Sequence, residues 1–415
     1  MDTQPDVAAS ASGANVASSI TGRAPRPDTG PGERLLFAAS PEERLEAWAG
    51  LMRGAKPQLL RRAWLAVAIG WLPLALLTAL QGDFLRPDSA NSFLFDVGVH
   101  TRFLLAAPLL ILAEAICVPR LAAIAHQFVN AGLIAEDDRE RYDAAVASSQ
   151  RLMDSRVVAI ALTVLAYVLV FGLVQAASPE IIPSWHGRLT PFAPSPAGWW
   201  GLLISLPLLL MLQLGWLYRI CVWTRFLWLM NRLPLRLDPG NPDRTAGLGF
   251  VGSSLEGFMP VGFIVGVIAA GPVANQVVHH HISPLQFRSV AIAAIIIAVV
   301  LCAGPLLVFL RRLIEEHHRG ILQYGALAMH MGERFQPKWL TPKTSALRGT
   351  LDMSEFTGTN ALYSITANAR AVRILPVELR SVARLSLAAF LPFVPVWLLA
   401  VPFEELAKRI SAFLI

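Results

Sequence analysis

The stretch VVAIALTVLAYVLVFGLVQAA, residues 157–177, decides the fold of this chain. Its 21 residues include no charged side chain. A helix of about 20 apolar residues is long enough to cross the hydrocarbon core of a membrane, so this stretch predicts a transmembrane helix. Six further apolar runs predict spans at 63–81, 103–119, 199–218, 258–278, 289–310 and 385–403.

The composition agrees with a membrane protein. The chain has 415 residues, of which 54% are hydrophobic and 15% charged, whereas soluble domains carry about 25% charged residues. We therefore predict an all-α fold, a polytopic transmembrane helix bundle of about seven spans with cytoplasmic helical extensions. The last run contains Pro392, Pro395 and Pro402, so six spans plus a re-entrant hairpin is the alternative.

The basic residues lie on alternate sides of the apolar runs. Of the 35 Lys and Arg residues, 29 fall in residues 1–62, 120–156, 219–257 and 311–384, and 6 fall on the other side. Basic residues concentrate on the cytoplasmic side of membrane proteins, so the pattern predicts a cytoplasmic N-terminus. Retention of these residues at an anionic membrane face accounts for the net charge of +6. It indicates anionic lipid headgroups on the cytoplasmic side as partners, and no nucleic acid.

Composition also divides the chain into segments. Residues 1–33 are rich in Ala, Ser, Gly and Pro and predict a disordered leader. Residues 34–62 contain a helix start, a hydroxyl cap at Ser40 followed by proline, and predict an amphipathic surface helix. The bundle with its cytoplasmic segments occupies 63–403, and 404–415 form a C-terminal tail.

A glycine-rich segment, RLDPGNPDRTAGLGFVGSS at 236–254, precedes the fifth span. Glycines let backbone N–H groups converge on an anion. The segment therefore predicts a site for an anion or a lipid headgroup, formed by Arg236, Asp243, Arg244, Gly247, Gly249 and Gly252. The alternative is a tight turn in which Asp243 and Arg244 pair with neighbouring loops. The GxGxxG spacing does not indicate dinucleotide binding, because a membrane helix follows it in place of a soluble βαβ unit.

Polar residues inside the spans form a second candidate. Glu114 lies in the second run, where an acid is costly unless it faces the bundle interior and has a partner. Arg120 could pair with it near the membrane interface. Together with other polar span residues Glu114 predicts an intramembrane polar path, although the amides could equally join helices through hydrogen bonds. These residues are Gln175, Gln213, Asn275 and Gln276.

Complete catalytic, metal and cofactor signatures are absent from the sequence. His279, His280 and His281 end the fifth run, but successive helical residues point about 100° apart, which does not suit one ion. Glu315 and His318 have the spacing of a di-metal carboxylate motif, but the motif has no second copy. We therefore expect no cofactor, no metal site and no catalytic residue.

Two stretches resemble a family of bacterial multi-pass inner-membrane proteins with no established activity. They are NPDRTAGLGFVG at 241–252 and RILPVELRSVARLSLAAFLPFVPVWLLAVPFEELAKRI at 373–410. The family shows a PDRxGGLGF-like loop and a proline-containing apolar run followed by Pro-x-Glu-Glu-Leu. Ala246 stands where the loop usually has its first glycine. The resemblance covers about the second half of the chain and implies a bacterial inner-membrane location.

The polar path favours a transport or permeation protein. A membrane scaffold or sensor that holds partners through its cytoplasmic helices is the alternative. An enzyme acting on lipid-borne phosphates is a third reading that the glycine-rich segment would support. The sequence leaves open whether the chain binds a second copy of itself or another protein.

Overall fold

The computed structural model describes residues 57–86, 92–176, 184–189, 192–280, 282–339 and 353–399. These residues are almost entirely helical, with one short β-hairpin. The leader, the tail and residues 34–56 of the expected surface helix lie outside the described residues. Residues 57–62 begin the first membrane helix.

Six segments of the described chain are long and apolar enough to cross a membrane. They are named span 1 to span 6: Leu59–Gln81, Val97–Asn130, Arg156–Ala176, Pro196–Arg232, Gly249–His280 and Pro284–Glu333. Two further apolar helices, Leu379–Phe390 and Phe393–Leu399, meet at 45° and are named the bent pair. The prediction of an all-α polytopic bundle is confirmed, with six spans, or seven if the bent pair crosses as one.

Most spans contain more than one helix. The helices are α1 (Pro57–Gly70), α2 (Leu72–Gln81), α3 (Val97–His100), α4 (Ala107–Asn130), α5 (Arg139–Met153), α6 (Arg156–Ala176), α7 (Pro196–Trp200), α8 (Leu206–Arg232), α9 (Gly249–Gly252), α10 (Ser254–Gly257), α11 (Met259–His280), α12 (Arg288–Ala303), α13 (Leu310–Trp339), α14 (Met353–Arg370), α15 (Leu379–Phe390) and α16 (Phe393–Leu399). Strands β1 (Gly187–Leu189) and β2 (Phe192–Pro194) pair antiparallel, with Gly187 opposite Pro194.

The two ends of the bundle differ in character. The basic side holds the ends of the spans at Asn130, Arg156 and Arg232, where the arginines concentrate. The hairpin side holds β1, β2 and the connections from span 1 to span 2 and from span 5 to span 6. On the basic side, α5 follows span 2 and returns to span 3, and α13 extends beyond the apolar part of span 6 to pack against α14. These are the helical extensions that the sequence predicts.

The outer surface of the bundle is apolar. On α6, for example, Val157, Ile160 and Phe171 are 76%, 64% and 66% exposed. Such a surface is unfavourable in water and is expected where lipid is the solvent. Span 5 is the most buried of the six spans and packs against span 2, span 6 and the bent pair.

Glycines allow span 5 and the bent pair to approach closely. A methyl group on Gly266 would collide with the carbonyl oxygen of Ala389, and one on Gly262 would lie 2.6 Å from the side chain of Leu385. Small residues at a membrane helix contact allow this kind of backbone packing. The bent pair is therefore an integral part of the bundle.

Candidate functional site

Glu114 lies in span 2 and forms ion pairs with two arginines. Its Oε2 accepts a hydrogen bond from Arg62 Nη1 at 3.0 Å, and its Oε1 accepts one from Arg219 Nη2 at 2.5 Å. All three residues are buried, with exposures of 8% for Arg62, 6% for Glu114 and 2% for Arg219. This buried triad joins spans 1, 2 and 4.

The partners of Glu114 are not the one that sequence spacing suggested. Arg120 instead donates from Nη1 to the backbone carbonyl oxygen of Glu256 at 3.1 Å. The guanidinium of Arg219 also lies over the ring of Trp216, 4.9 Å from its centroid, which adds a cation–π attraction. Because the carboxylate of Glu114 pairs with arginines from two other spans, we infer that the triad holds spans 1, 2 and 4 together.

The glycine-rich loop folds around its own acidic residue. Asp243 Oδ1 accepts hydrogen bonds from the N–H groups of Thr245 and Gly247, at 2.8 and 3.1 Å. Its Oδ2 accepts from the N–H of Gly249 at 2.9 Å and from the hydroxyl of Thr245 at 2.8 Å. The backbone N–H groups that the sequence predicts to bind an anion therefore donate to the carboxylate of Asp243 within the same loop.

This loop requires unusual backbone angles. Arg244, Ala246 and Gly247 have positive φ values of 57°, 55° and 93°. Glycine adopts such angles freely, whereas a residue with a Cβ atom loses about 1 kcal/mol there. A glycine at position 246 would therefore fit this loop better than Ala246 does.

The remaining residues of the predicted anion site are exposed or pack against another segment of the chain. Arg236 and Arg244 are exposed. A methyl group on Gly252 would collide with the carbonyl oxygen of Pro376, and the N–H of Arg373 donates to the carbonyl oxygen of Arg244 at 2.7 Å. The loop is therefore a junction between the start of span 5 and the chain that leads into the bent pair.

Three residues of the predicted polar path meet in one cavity near the hairpin side. Gln213 from span 4 and Asn275 and Gln276 from span 5 line this cavity, which has a volume of about 510 Å³. Glu114 does not line it, and Gln175 is exposed near the end of span 3. Apolar side chains form most of the remaining wall, among them Leu74, Phe103, Val170, Leu206, Leu209 and Ile268.

Arg102 is the cation of this cavity. The predicted span 103–119 leaves Arg102 outside the membrane helix, whereas the helix begins at Val97. Among the described residues, the guanidinium of Arg102 and the amides of Gln213 and Gln276 have no hydrogen-bond partner, although all three line the cavity. Polar groups within a membrane protein need partners, so these side chains suit a bound solute or water.

Asp96 attracts Arg102 without occupying its donors. Its Oδ1 accepts hydrogen bonds from the N–H of Val99 at 3.1 Å and from Asn275 Nδ2 at 2.8 Å, and its Oδ2 accepts from Trp185 Nε1 at 3.2 Å. The carboxylate therefore caps the first helix of span 2. It also acts on Arg102 electrostatically, while the guanidinium donors stay available.

His186 lines the same cavity as a neutral ring. The ring stacks on Trp185 with centroids 3.6 Å apart. Burial outweighs the attraction of Asp96 and, together with Arg102, lowers the pKa of His186 to about 4. At neutral pH His186 thus contributes hydrogen-bonding groups and no charge.

Irregular helical turns surround the cavity. Span 2 passes through a π-helical turn at Thr101–Ala106, and span 4 passes through another at Gly201–Ser205. Both turns contribute lining residues, as does Pro272 within span 5. Such turns and prolines disturb the regular backbone hydrogen bonds, and π-helical turns occur frequently at functional sites.

Two of the other candidates from the sequence have partners within the protein. His279 Nε2 lies 2.9 Å from the carbonyl oxygen of Phe95, and Glu315 pairs with Arg311 at 3.1 Å. His281 lies outside the described residues. Within the part of the chain that the structure covers, no group of three or more His, Cys, Asp or Glu side chains could hold a metal ion.

Comparison of the chain with protein-family models, with curated proteins and with solved structures found no match. The resemblance of residues 241–252 and 373–410 to a bacterial membrane family therefore stays a prediction.

Replacing Glu114 by Gln should destabilise the protein strongly. The substitution removes the carboxylate that compensates two buried arginines, and breaking a buried ion pair in this way costs about 3–5 kcal/mol. Thermal unfolding in detergent should show this loss for Glu114→Gln. The control Glu315→Gln, whose ion pair is exposed, should change little. Equal stability of the two variants would contradict the role of the triad in holding the spans together.

Asp243→Asn should loosen the glycine-rich loop. One acceptor oxygen becomes an NH₂ donor that faces N–H groups, and a hydrogen bond to a charged group contributes about 1.5–3 kcal/mol. Hydrogen–deuterium exchange should become faster at Thr245, Gly247 and Gly249. Asp143→Asn, at an exposed aspartate 3.9 Å from Arg139, is the matched control. Unchanged exchange in Asp243→Asn would mean that the loop does not depend on this carboxylate.

Proposed function

We propose that this protein transports a small organic anion and binds it in the cavity near the hairpin side. The carrying observation is that Arg102 lines a largely apolar cavity, and its guanidinium has no hydrogen-bond partner among the described residues. A guanidinium binds a carboxylate through paired N–H donors. The amides of Gln213 and Gln276 offer further donors and acceptors to the same solute.

The size and walls of the cavity favour an organic solute. A volume of about 510 Å³ falls within the range of about 300–1,000 Å³ for small-molecule sites, which combine apolar walls with a few polar groups. Side chains such as Val170 and Leu206 supply these walls. The chemistry therefore suits a carboxylate attached to an apolar body.

Asp96 lowers the cost of placing Arg102 within the membrane. A lone arginine at this depth would be costly, and the nearby carboxylate reduces that cost. Because its oxygens are bound by Val99, Asn275 and Trp185, an incoming carboxylate can meet Arg102 without displacing an ion pair. Asp96 also lines the cavity and offsets the charge of Arg102, so the attraction for an anion comes from the guanidinium donors that stay available.

A second cavity supports movement of a solute into the bundle. It has a volume of about 470 Å³, shares Gln213 and Ile268 with the first cavity, and continues along Trp216 and Ile264 towards the basic side. The π-helical turns in spans 2 and 4 lie where these spans would have to rearrange to let a solute pass. Two adjoining cavities and irregular spans together favour transport over binding alone.

We also propose in which membrane the protein lies and which side of it faces the cytoplasm. We assign the basic side to the cytoplasm, which places the N-terminus there, because basic residues are retained on that side. We assign the chain to a bacterial inner membrane from the family that it resembles. Anionic lipids of the cytoplasmic leaflet are then its nearest partners.

A membrane scaffold is the second candidate. Leu322 and Met329 of α13 are 73% and 69% exposed, and Tyr363 of α14 is 47% exposed. Apolar residues on helices that extend beyond the spans favour a protein partner. An enzyme acting on lipid-borne phosphates has less support, because Asp243 takes the N–H groups that would hold the phosphate.

Arg102→Gln should abolish binding of probe carboxylates. With benzoate and octanoate, the melting temperature of the wild-type protein should rise more than with benzyl alcohol and octanol, which lack the charge. Arg102→Gln should lose this difference. Arg288→Gln, which removes an exposed arginine near the same side, should keep it. In proteoliposomes, radiolabelled benzoate should enter above the protein-free background with wild type and Arg288→Gln alone.

Two results would contradict the proposal. Equal stabilisation of wild type and Arg102→Gln by carboxylates would remove the site. Carboxylate binding without uptake would reject transport and favour a sensor.

Cysteine labelling tests the orientation. Glu140 on the basic side and Gln286 on the hairpin side are both exposed, and replacing the exposed Cys221 by Ser gives a quiet background. A membrane-impermeant maleimide should label Gln286→Cys in intact cells and should label Glu140→Cys only after the cells are opened. The reverse pattern would place the basic side outside.

A further inference from the structure

A separate groove on the membrane surface of the bundle has a charged end. It lies between span 2, span 5 and the bent pair and has a volume of about 380 Å³. Leu112, Ile116, Phe263 and Ala388 are among its apolar lining residues. Arg120 lines the end of the groove that is nearest the basic side.

A second pocket, with a larger polar share in its lining than the groove has, continues from this end of the groove. It has a volume of about 440 Å³ and shares Arg120 and Glu256 with the groove. Gln127 and Ser253 add an amide and a hydroxyl to its lining. An apolar groove and a pocket that carries several polar side chains thus meet at Arg120, in the order in which the acyl chains and headgroup of a phospholipid are joined.

The charges at this boundary leave one positive charge uncompensated. Arg384 Nη1 donates to Glu256 Oε1 at 2.7 Å, so the carboxylate of Glu256 is paired with Arg384. Arg120 Nη1 donates to the backbone carbonyl oxygen of Glu256 at 3.1 Å, which is a neutral acceptor. Among the described residues, no carboxylate lies within ion-pair distance of Arg120. The boundary therefore attracts an anion.

We propose that this groove binds one anionic phospholipid, with its phosphate against Arg120 and an acyl chain along Ile116 and Phe263. An apolar groove alone would accept any lipid, but a guanidinium at the headgroup level selects a negative charge. The glycine-rich loop, which the sequence suggested for a headgroup, has its N–H groups on Asp243. The lipid site at Arg120 is independent of the Arg102 cavity and of transport.

Native mass spectrometry with defined lipids tests this site. Dioleoylphosphatidylglycerol should be retained by the wild-type protein in preference to dioleoylphosphatidylcholine, which has the same acyl chains and no net charge. Arg120→Gln should weaken retention of phosphatidylglycerol about tenfold, as expected for the loss of a charge-assisted contact. Arg311→Gln removes a cation whose side chain is 92% exposed and should retain the lipid like wild type.

A second variant tests the acyl-chain half of the groove. Ala388→Leu fills the groove without changing any charge, so it should also weaken retention of phosphatidylglycerol. This variant decides the matter if Arg120→Gln fails to fold. Equal retention of the two lipids, or wild-type retention by both variants, would overturn the proposal. Displacement of phosphatidylglycerol by soluble glycerol phosphate at similar concentration would show a site for free anions instead of lipid.

Discussion

Inside a membrane, a charged group has no water to solvate it, and this constraint organises the whole bundle. Glu114 meets it with Arg62 and Arg219, which come from spans 1 and 4. Asp96 meets it with Asn275 and Trp185, which come from span 5 and the connection before span 4. Each carboxylate fixes the point at which three separate elements meet. Together the two acids hold spans 1, 2, 4 and 5 in register from one side of the membrane to the other.

Arg102 differs from these two acids in its hydrogen bonding. The carboxylates of Glu114 and Asp96 are bound by protein groups. The guanidinium of Arg102 lines an open volume and has no hydrogen-bond partner among the described residues, and the same holds for its polar neighbours Gln213 and Gln276. The two π-helical turns on either side show that the backbone is irregular at the same depth. The buried triad and the cavity thus use the same residue types, and they differ in whether another protein group accepts the hydrogen bonds of the arginine.

The sequence predicts the membrane spans, but it does not predict which polar side chains pair between them. Apolar runs predict each membrane helix, because hydropathy is a property of contiguous residues. Their ends were harder: span 2 begins at Val97, six residues before the predicted start, because Asp96 caps a helix there. This cap is visible in the sequence, and reading it would have moved Arg102 into the span.

Long-range contacts explain the remaining misses. The partners of Glu114 lie 52 and 105 residues away, whereas spacing along one helix could suggest only Arg120. The bonds of Asp243 are local, within six residues, and aspartate is known to bind N–H groups a few positions ahead. That hydrogen bonding could have been foreseen from residues 243–249. The meeting of Gln213 with Asn275 and Gln276 depended on how spans 4 and 5 pack.

The glycine contacts between span 5 and the bent pair bear on how the chain is assembled. Gly262 and Gly266 touch Leu385 and Ala389, which leave the ribosome more than a hundred residues later. Until that segment arrives, the backbone of the most buried span has one face open to lipid. The face of span 5 that packs against the bent pair therefore stays uncovered until residues 379–399 have been synthesised, and a chain cut short before residue 379 would leave this contact unmade.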